Sequence, residues 1–119
     1  MYIGELAKKT GASPKAIRHY EELGILINIQ RSGKYRVYDD HHVTIVSLIK
    51  RAQKMGFKLK DIAPLILQKH QADQFPLDFA LNAISDRRQE LKAEIERANS
   101  LDKELSLLSG ELKRLFSKT

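Results

Sequence analysis

The apolar positions of the chain change their spacing several times, and each change marks an element. Ile3, Leu6 and Ala7 recur at three- and four-residue steps, which puts them on one face of a helix covering roughly the first ten residues. Gly11 is suited to end that helix in the left-handed conformation. Ser13 then offers an N-cap and Pro14 fits the first position of a second helix, expected from Pro14 to about Leu23. Its apolar stripe is Ala16, Ile17, Tyr20 and Leu23; its other face carries Lys15, Arg18, His19 and Glu22, and Gly24 follows as a stop. Two short helices joined by a tight, glycine-containing turn are the helix-turn-helix plan.

The spacing then turns extended. Ile25–Ile29 is apolar, Gln30-Arg31-Ser32-Gly33-Lys34 reads as a turn, and Tyr35–Tyr38 is a second extended run. Together they predict a β-hairpin with a basic tip, placed where a wing follows a helix-turn-helix. Helical spacing returns after Asp39 or Asp40, either of which caps a third helix reaching about Met55, with Val43, Val46, Leu48 and Ile49 apolar and Gly56 as the stop. A fourth helix is expected over about Leu59 to Lys69, kinked or started late by Pro64. The polar stretch His70–Pro76 is a connection.

From Leu77 to about Phe116 the pattern is one long helix with a heptad repeat. One seam position takes Leu77, Ile84, Leu91, Ala98, Leu105 and Leu112; the other takes Ala80, Arg87, Glu94, Leu101, Leu108 and Leu115, with Leu81 and Ile95 flanking. A seam sustained over more than four heptads indicates a coiled coil. Some 40 residues make roughly 60 Å of helix, too long to bury its stripe on the preceding residues, so the simplest partner is a second copy of the chain. Dimerisation is assigned to Ile84, Leu91, Ile95, Ala98, Leu101, Leu105, Leu108, Leu112 and Leu115. Gly110 costs about 1 kcal/mol inside a helix and is a candidate end, with Glu111–Phe116 folding back as a separate last turn. The expected organisation is residues 1–70 as a head domain, 71–76 as a linker and 77–119 as the dimerisation helix.

Charge sharpens this division. The 119 residues carry a net charge of +6. The chain up to Phe75 holds 13 basic and 7 acidic residues, whereas the remainder holds 8 of each. The whole excess lies on the head, which suits a polyanion. With no cysteine, disulfides, thiolate metal sites and a cysteine nucleophile are excluded. There is no apolar run long enough to span a membrane, and the amphipathic N-terminus does not read as a secretory signal, so the expected compartment is the cytoplasm. Asp39-Asp40-His41-His42 has metal-binding residue types, but acidic residues at a helix start already favour the helix dipole and adjacent histidines on a helix diverge by about 100°; no metal, cofactor or catalytic site is assigned.

The stretches IGELAKKTGASPKAIRHYEELGIL, RSGKYRVY and GFKLKDI, in that order, resemble the MerR family of transcriptional regulators. The resemblance implies a mostly α fold: a winged helix-turn-helix DNA-binding domain followed by a long helix that pairs antiparallel with its copy in a coiled coil. It covers residues 1 to about 69 by motif and the rest by architecture. Three departures stand out. The family usually shows Arg-Tyr-Tyr-Glu where this chain has Arg18-His19-Tyr20-Glu21, Lys34 precedes the Tyr35-Arg36 of the wing where glycine is usual, and Lys58 stands where a serine cap is common.

A duplex is held by cations that displace condensed counterions and read by a helix in the major groove. The candidate DNA-binding residues are therefore Ser13, Lys15, Arg18, His19 and Tyr20 of the second helix, Arg31, Lys34, Tyr35 and Arg36 of the wing, and Lys58 and Lys60 at the fourth helix. Periodicity leaves Tyr20 open between DNA contact and core packing, while Tyr38 reads as packing and Lys50, Arg51 and Lys54 as solvated. The expected function is a homodimeric, sequence-specific transcriptional regulator on near-palindromic operators. The resemblance implies that such regulators distort the spacer between promoter elements so that RNA polymerase can engage both. Family members that detect metals or oxidants use cysteines, so the effector is open; a small molecule would lie near Phe75, Phe79 or Phe116, rings that more simply serve packing. Alternatives are an excisionase-like architectural DNA-binding protein, against which the strong seam argues, and a coiled-coil adaptor whose basic head binds an acidic protein.

Overall fold

The computed structural model describes residues 1–117. Helix α1 (Ile3–Thr10) ends where Gly11 turns left-handed at φ 77° and its N–H closes on the Ala7 carbonyl. Helix α2 (Pro14–Glu22) starts from Ser13, whose Oγ accepts the Ala16 N–H at 3.0 Å, and stops at Gly24 with φ 81°. Strands β1 (Gln30–Ser32) and β2 (Tyr35–Val37) pair antiparallel, Gln30 opposite Val37 and Ser32 opposite Tyr35, around the two-residue turn Gly33-Lys34. Gly33 takes φ 62° at the first turn position, the geometry that suits a twisted hairpin.

The wing is shorter than the apolar pattern predicts. Ile25–Ile29 is not a strand: Ile25 and Leu26 are buried, and Asn28 bends the backbone at φ 59°. These isoleucines and leucine mark a connector sunk into the core, and an apolar run alone does not distinguish the two.

Helix α3 (Asp40–Lys54) opens with a reciprocal cap. Asp39 Oδ1 accepts from the N–H groups of His41 and His42, and His42 Nδ1 accepts the Asp39 N–H at 3.0 Å. The His42 N–H, more than any other group, holds the Asp39 carboxyl below the usual carboxylate range. Of the apolar positions assigned to this helix, Val46 and Ile49 are buried, whereas Leu48 is exposed. Helix α4 (Leu59–Ala72) runs through Pro64 without a late start and extends three residues beyond the expected Lys69. His70, Gln71 and Ala72, read as connection, are its last turn, closed by Asp73 at φ 52°.

Met1–Pro76 and Leu77 onward are two separate compact units. The first has one core, formed by Leu6, Ala12, Ile17, Tyr20, Ile25, Leu26, Tyr38, Val46, Ile49 and Ala63. The second is helix α5 (Leu77–Phe116), in which no residue is buried. It continues through Gly110 to Phe116, so the last turn does not fold back. A single glycine's propensity cost is small against an uninterrupted hydrogen-bond ladder of this length.

Candidate nucleic-acid interface

The outward face of α2 follows from its inward one. Ile17 and Tyr20 are 0% and 2% exposed, and at 100° per residue this turns Lys15, Arg18 and His19 to the surface, where all three are exposed. Ser13 is exposed at the start of the same helix; its oxygen caps Ala16, which leaves its hydroxyl hydrogen free to donate to a phosphate. His19 lies 3.8 Å from the Glu22 carboxylate across one turn. Neither Lys15 nor Arg18 has an ion-pair partner among the described residues.

Tyr20 belongs elsewhere. It is a core residue whose hydroxyl donates to Gln53 Oε1 at 3.0 Å on α3, and burial pushes its phenol pKa up. The open choice between core and DNA thus resolves to the core, because position 20 follows Ile17 on the apolar stripe.

The wing's pairing aligns Arg31 directly with Arg36. Cross-strand partners share a face, and like charges facing each other destabilise a hairpin. The strain is relieved on one side only: Glu21 Oε2, at the end of α2, accepts from Arg36 Nε at 2.6 Å. Glu21 Oε1 also reaches the Tyr38 hydroxyl at 3.4 Å. Tyr38 is buried as expected, and its phenol pKa is raised, first by burial and then by the Glu21 charge. Glu21 therefore links α2 and the wing. A carboxylate in a basic stretch carried no flag in the sequence; the signal was its position one turn beyond Arg18, next to the buried face. Arg31 has no ion-pair partner among the described residues.

At the tip, Lys34 Nζ lies 5.7 Å from the Tyr35 ring centroid, and that ring lies 5.8 Å from the ring of Tyr2. Both tyrosines are more than half exposed. Tyr2 has no place in the helical or extended patterns, so only the fold brings it to the wing. Lys58 and Lys60 flank the start of α4 and are exposed; Lys58 stands at the N-cap without a side-chain bond, consistent with the missing serine.

On α5, Ile84, Leu91, Ile95, Leu101, Leu105, Leu108, Leu112 and Leu115 are all exposed within one chain, between 39% and 66%, and Ala98 is exposed with them. Phe75, Phe79 and Phe116 are exposed too. Among the described residues no three His, Cys, Asp or Glu side chains are grouped to hold a metal, and no helix is long and apolar enough to cross a membrane. In the Asp39–His42 stretch, His42 is a buried capping residue.

The sequence matches the family described as MerR HTH family regulatory protein over residues 1–69 and that described as MerR, DNA binding, over residues 43–108. The regulator CueR of Salmonella typhimurium is 36% identical over 103 residues, covering 82% of this chain and 67% of that protein. Heavy metal-dependent transcription regulator 2 of Rhizobium meliloti is 30% identical over 111 residues, 92% of this chain and 75% of its own. In fold, the chain is similar to HiNmlR, a MerR family regulator lacking the sensor domain, solved bound to promoter DNA, with a TM-score of 0.67 at 23% identity over 97% of this chain and 89% of that one. A MerR family regulator from Bacillus cereus gives 0.62 at 21% identity, covering 100% and 86%.

Proposed function

The chain belongs to the MerR family of transcriptional regulators, and on that premise we propose that two copies joined through α5 read two half-sites of one operator with their heads. The observation that carries this is the unneutralised charge. Among the described residues, Lys15 and Arg18 on the open face of α2, and Arg31 held opposite Arg36 on the wing, have no counter-charge, which suits them to a polyanion. Arg18 is the residue suited to a bidentate contact with guanine, Lys15 and His19 to base edges or phosphates, and Ser13 with the α2 N-terminus to a phosphate. Arg31, Lys34, Tyr35 and Arg36 serve backbone or minor-groove contact, and Lys58 and Lys60 the flanking phosphates. Tyr20 acts only by holding α2 against α3.

We further propose that the pair distorts the spacer between promoter elements, and so acts on RNA polymerase through the shared promoter in the cytoplasm. Bending a site smoothly costs roughly 1–6 kcal/mol, which the wing contacts offset. Relatives include a mercuric resistance operon regulatory protein of Bacillus cereus, 43% identical over 65 residues. The residues of this chain include no cysteine, so they supply no thiolate for a metal of that kind.

The test is selection of duplexes from a random-sequence pool by this 119-residue chain, followed by affinity measurements on the selected duplex across a salt series. A log–log slope of several phosphates, together with selection of a near-palindrome, is the expected result. Equal affinity for selected and unselected duplexes would reduce the protein to a non-specific binder, and no binding at low salt would return the head to the role of a basic adaptor.

A further inference from the structure

Two imidazoles from different helices converge on one short stretch of backbone. The connector between α2 and β1 is irregular, with left-handed bends at Gly24 and Asn28. Its Ile25 carbonyl accepts from His70 Nε2 at 3.0 Å, on the last turn of α4, and its Ile27 carbonyl accepts from His42 Nε2 at 2.6 Å, on the first turn of α3. His42 is 2% exposed. A carbonyl only accepts, so Nε2 carries hydrogen in both rings; His42 Nδ1 faces the Asp39 N–H at 3.0 Å and Asp39 Oδ1 at 3.1 Å. Both nitrogens of the buried ring thus have partners, on two different segments.

This matters because the wing cannot place itself. Two three-residue strands are marginal as an isolated hairpin, so the position of Arg31 and Lys34 relative to α2 depends on what holds the hairpin's roots. The outgoing root is fixed by the Tyr38 N–H on the Met1 carbonyl and by Glu21 on Arg36 and Tyr38. The incoming root is held by the buried side chains of Ile25 and Leu26 and by the two histidines. The bond to Ile25 also gives α4 a reason to continue past Lys69.

We propose that His42 and His70 are positioning residues for DNA reading: they clamp the Ile25–Ile27 backbone so that wing and recognition helix present their cations at one fixed spacing. The proposal deepens the DNA-binding reading and rests on it. A clamp of this kind serves the selected duplex, which needs both elements in register, more than a random duplex that needs only charge.

The experiment compares wild type, His70→Leu and His70→Gln as full chains, on the duplex selected by wild type and on an unselected duplex. His70→Leu is expected to weaken the selected duplex about 30-fold, the factor for one hydrogen bond lost in each of two heads, with the unselected duplex changed by less than about twofold. Glutamine, whose amide donates from nearly the same place, restores the affinity. Amide shifts of Gln30–Val37 move in the leucine variant and return in the glutamine variant. Nitrogen spectra of the wild-type imidazoles are expected to show hydrogen on Nε2 of both His42 and His70. Unmoved wing amides, failure of glutamine to restore binding, or an Nε2 without hydrogen at His42 or His70 would each overturn the clamp. If wild type enriches no duplex, the DNA-reading proposal fails by itself, while the wing amides and imidazole spectra still decide whether the clamp exists. If His70→Leu does not fold, His70→Gln and those spectra decide.

Discussion

The head and helix α5 use the same apolar residues at the same helical spacing, yet one hides them and the other does not. Leu6, Ile17, Ile25 and Val46 are 0% exposed, whereas Leu105 and Ile95 are 62% and 59% exposed. The kinds of apolar residue do not separate the two regions; geometry does. Helices of 8 to 15 residues are short enough to fold across one another and close a core. A single helix of 40 residues, roughly 60 Å long, has nothing within its own described unit to fold against. Each leucine of the seam withholds about 1.5–3 kcal/mol until something covers it. The head is thus specified within one chain, while α5 states a requirement for a second.

The sharpest way to break that comparison is a charge in the seam. Leu105→Lys should give a monomer by sedimentation at micromolar concentration and leave the head's thermal transition unchanged. Binding of the selected duplex should fall by at least about 100-fold, because two tethered heads lose the avidity that joins them. A dimer of undiminished strength would put the interface elsewhere. The reciprocal variant is Ile17→Ala. It should destabilise the head by about 2–5 kcal/mol, read by the fluorescence of the buried Tyr20 and Tyr38 in urea, without changing self-association through α5. Leu48, exposed on α3, is the control: its alanine variant should stay within about 0.5 kcal/mol. Arg18→Ala follows, with about 1–3 kcal/mol lost on the selected duplex and neither folding nor dimerisation altered. An equal loss on selected and unselected duplexes would make Arg18 a phosphate contact instead of a base reader.

The same contrast explains which features could be read before the fold was known. Local signals sufficed where one residue's conformation decides the element. Gly11 and Gly24 end helices, Ser13 caps α2, and the alternation of Ile17 and Tyr20 with Lys15 and Arg18 divides inside from outside. The long helix was legible for the opposite reason: its repeat goes on long enough to outweigh Gly110. What stayed hidden depends on residues far apart in sequence. Ile25–Ile29 reads as a strand because the apolar run carries no sign that α3 and α4 bring His42 and His70 to its carbonyls. Glu21 reads as a stray acid until the wing brings Arg36 to 2.6 Å. The outward cations of the interface were legible; the groups that set their spacing were not.

The smallest effect bears on the seam from its far side. Counting heptads with Leu105 on one seam position and Leu108 on the other puts Gly110 on the position pointing directly away from a partner helix. Its backbone is helical, and a Cβ built there would meet nothing within 4 Å. Alanine should then remove glycine's backbone-entropy cost without touching the interface, stabilising each helix by about 0.5–1 kcal/mol. The gain should appear as a higher thermal midpoint for the dimer, with no change in affinity for the selected duplex once the protein is fully dimeric. A loss of stability would mean that the second copy, or another segment, packs closely against the glycine, and that the covered face of α5 is broader than a two-helix seam. Since Leu107 is 68% exposed on that outer side, pairing Gly110→Ala with Leu107→Gln distinguishes the two cases. If the outer side is free, both changes are tolerated and their effects add; if it is covered, each destabilises and the two are coupled.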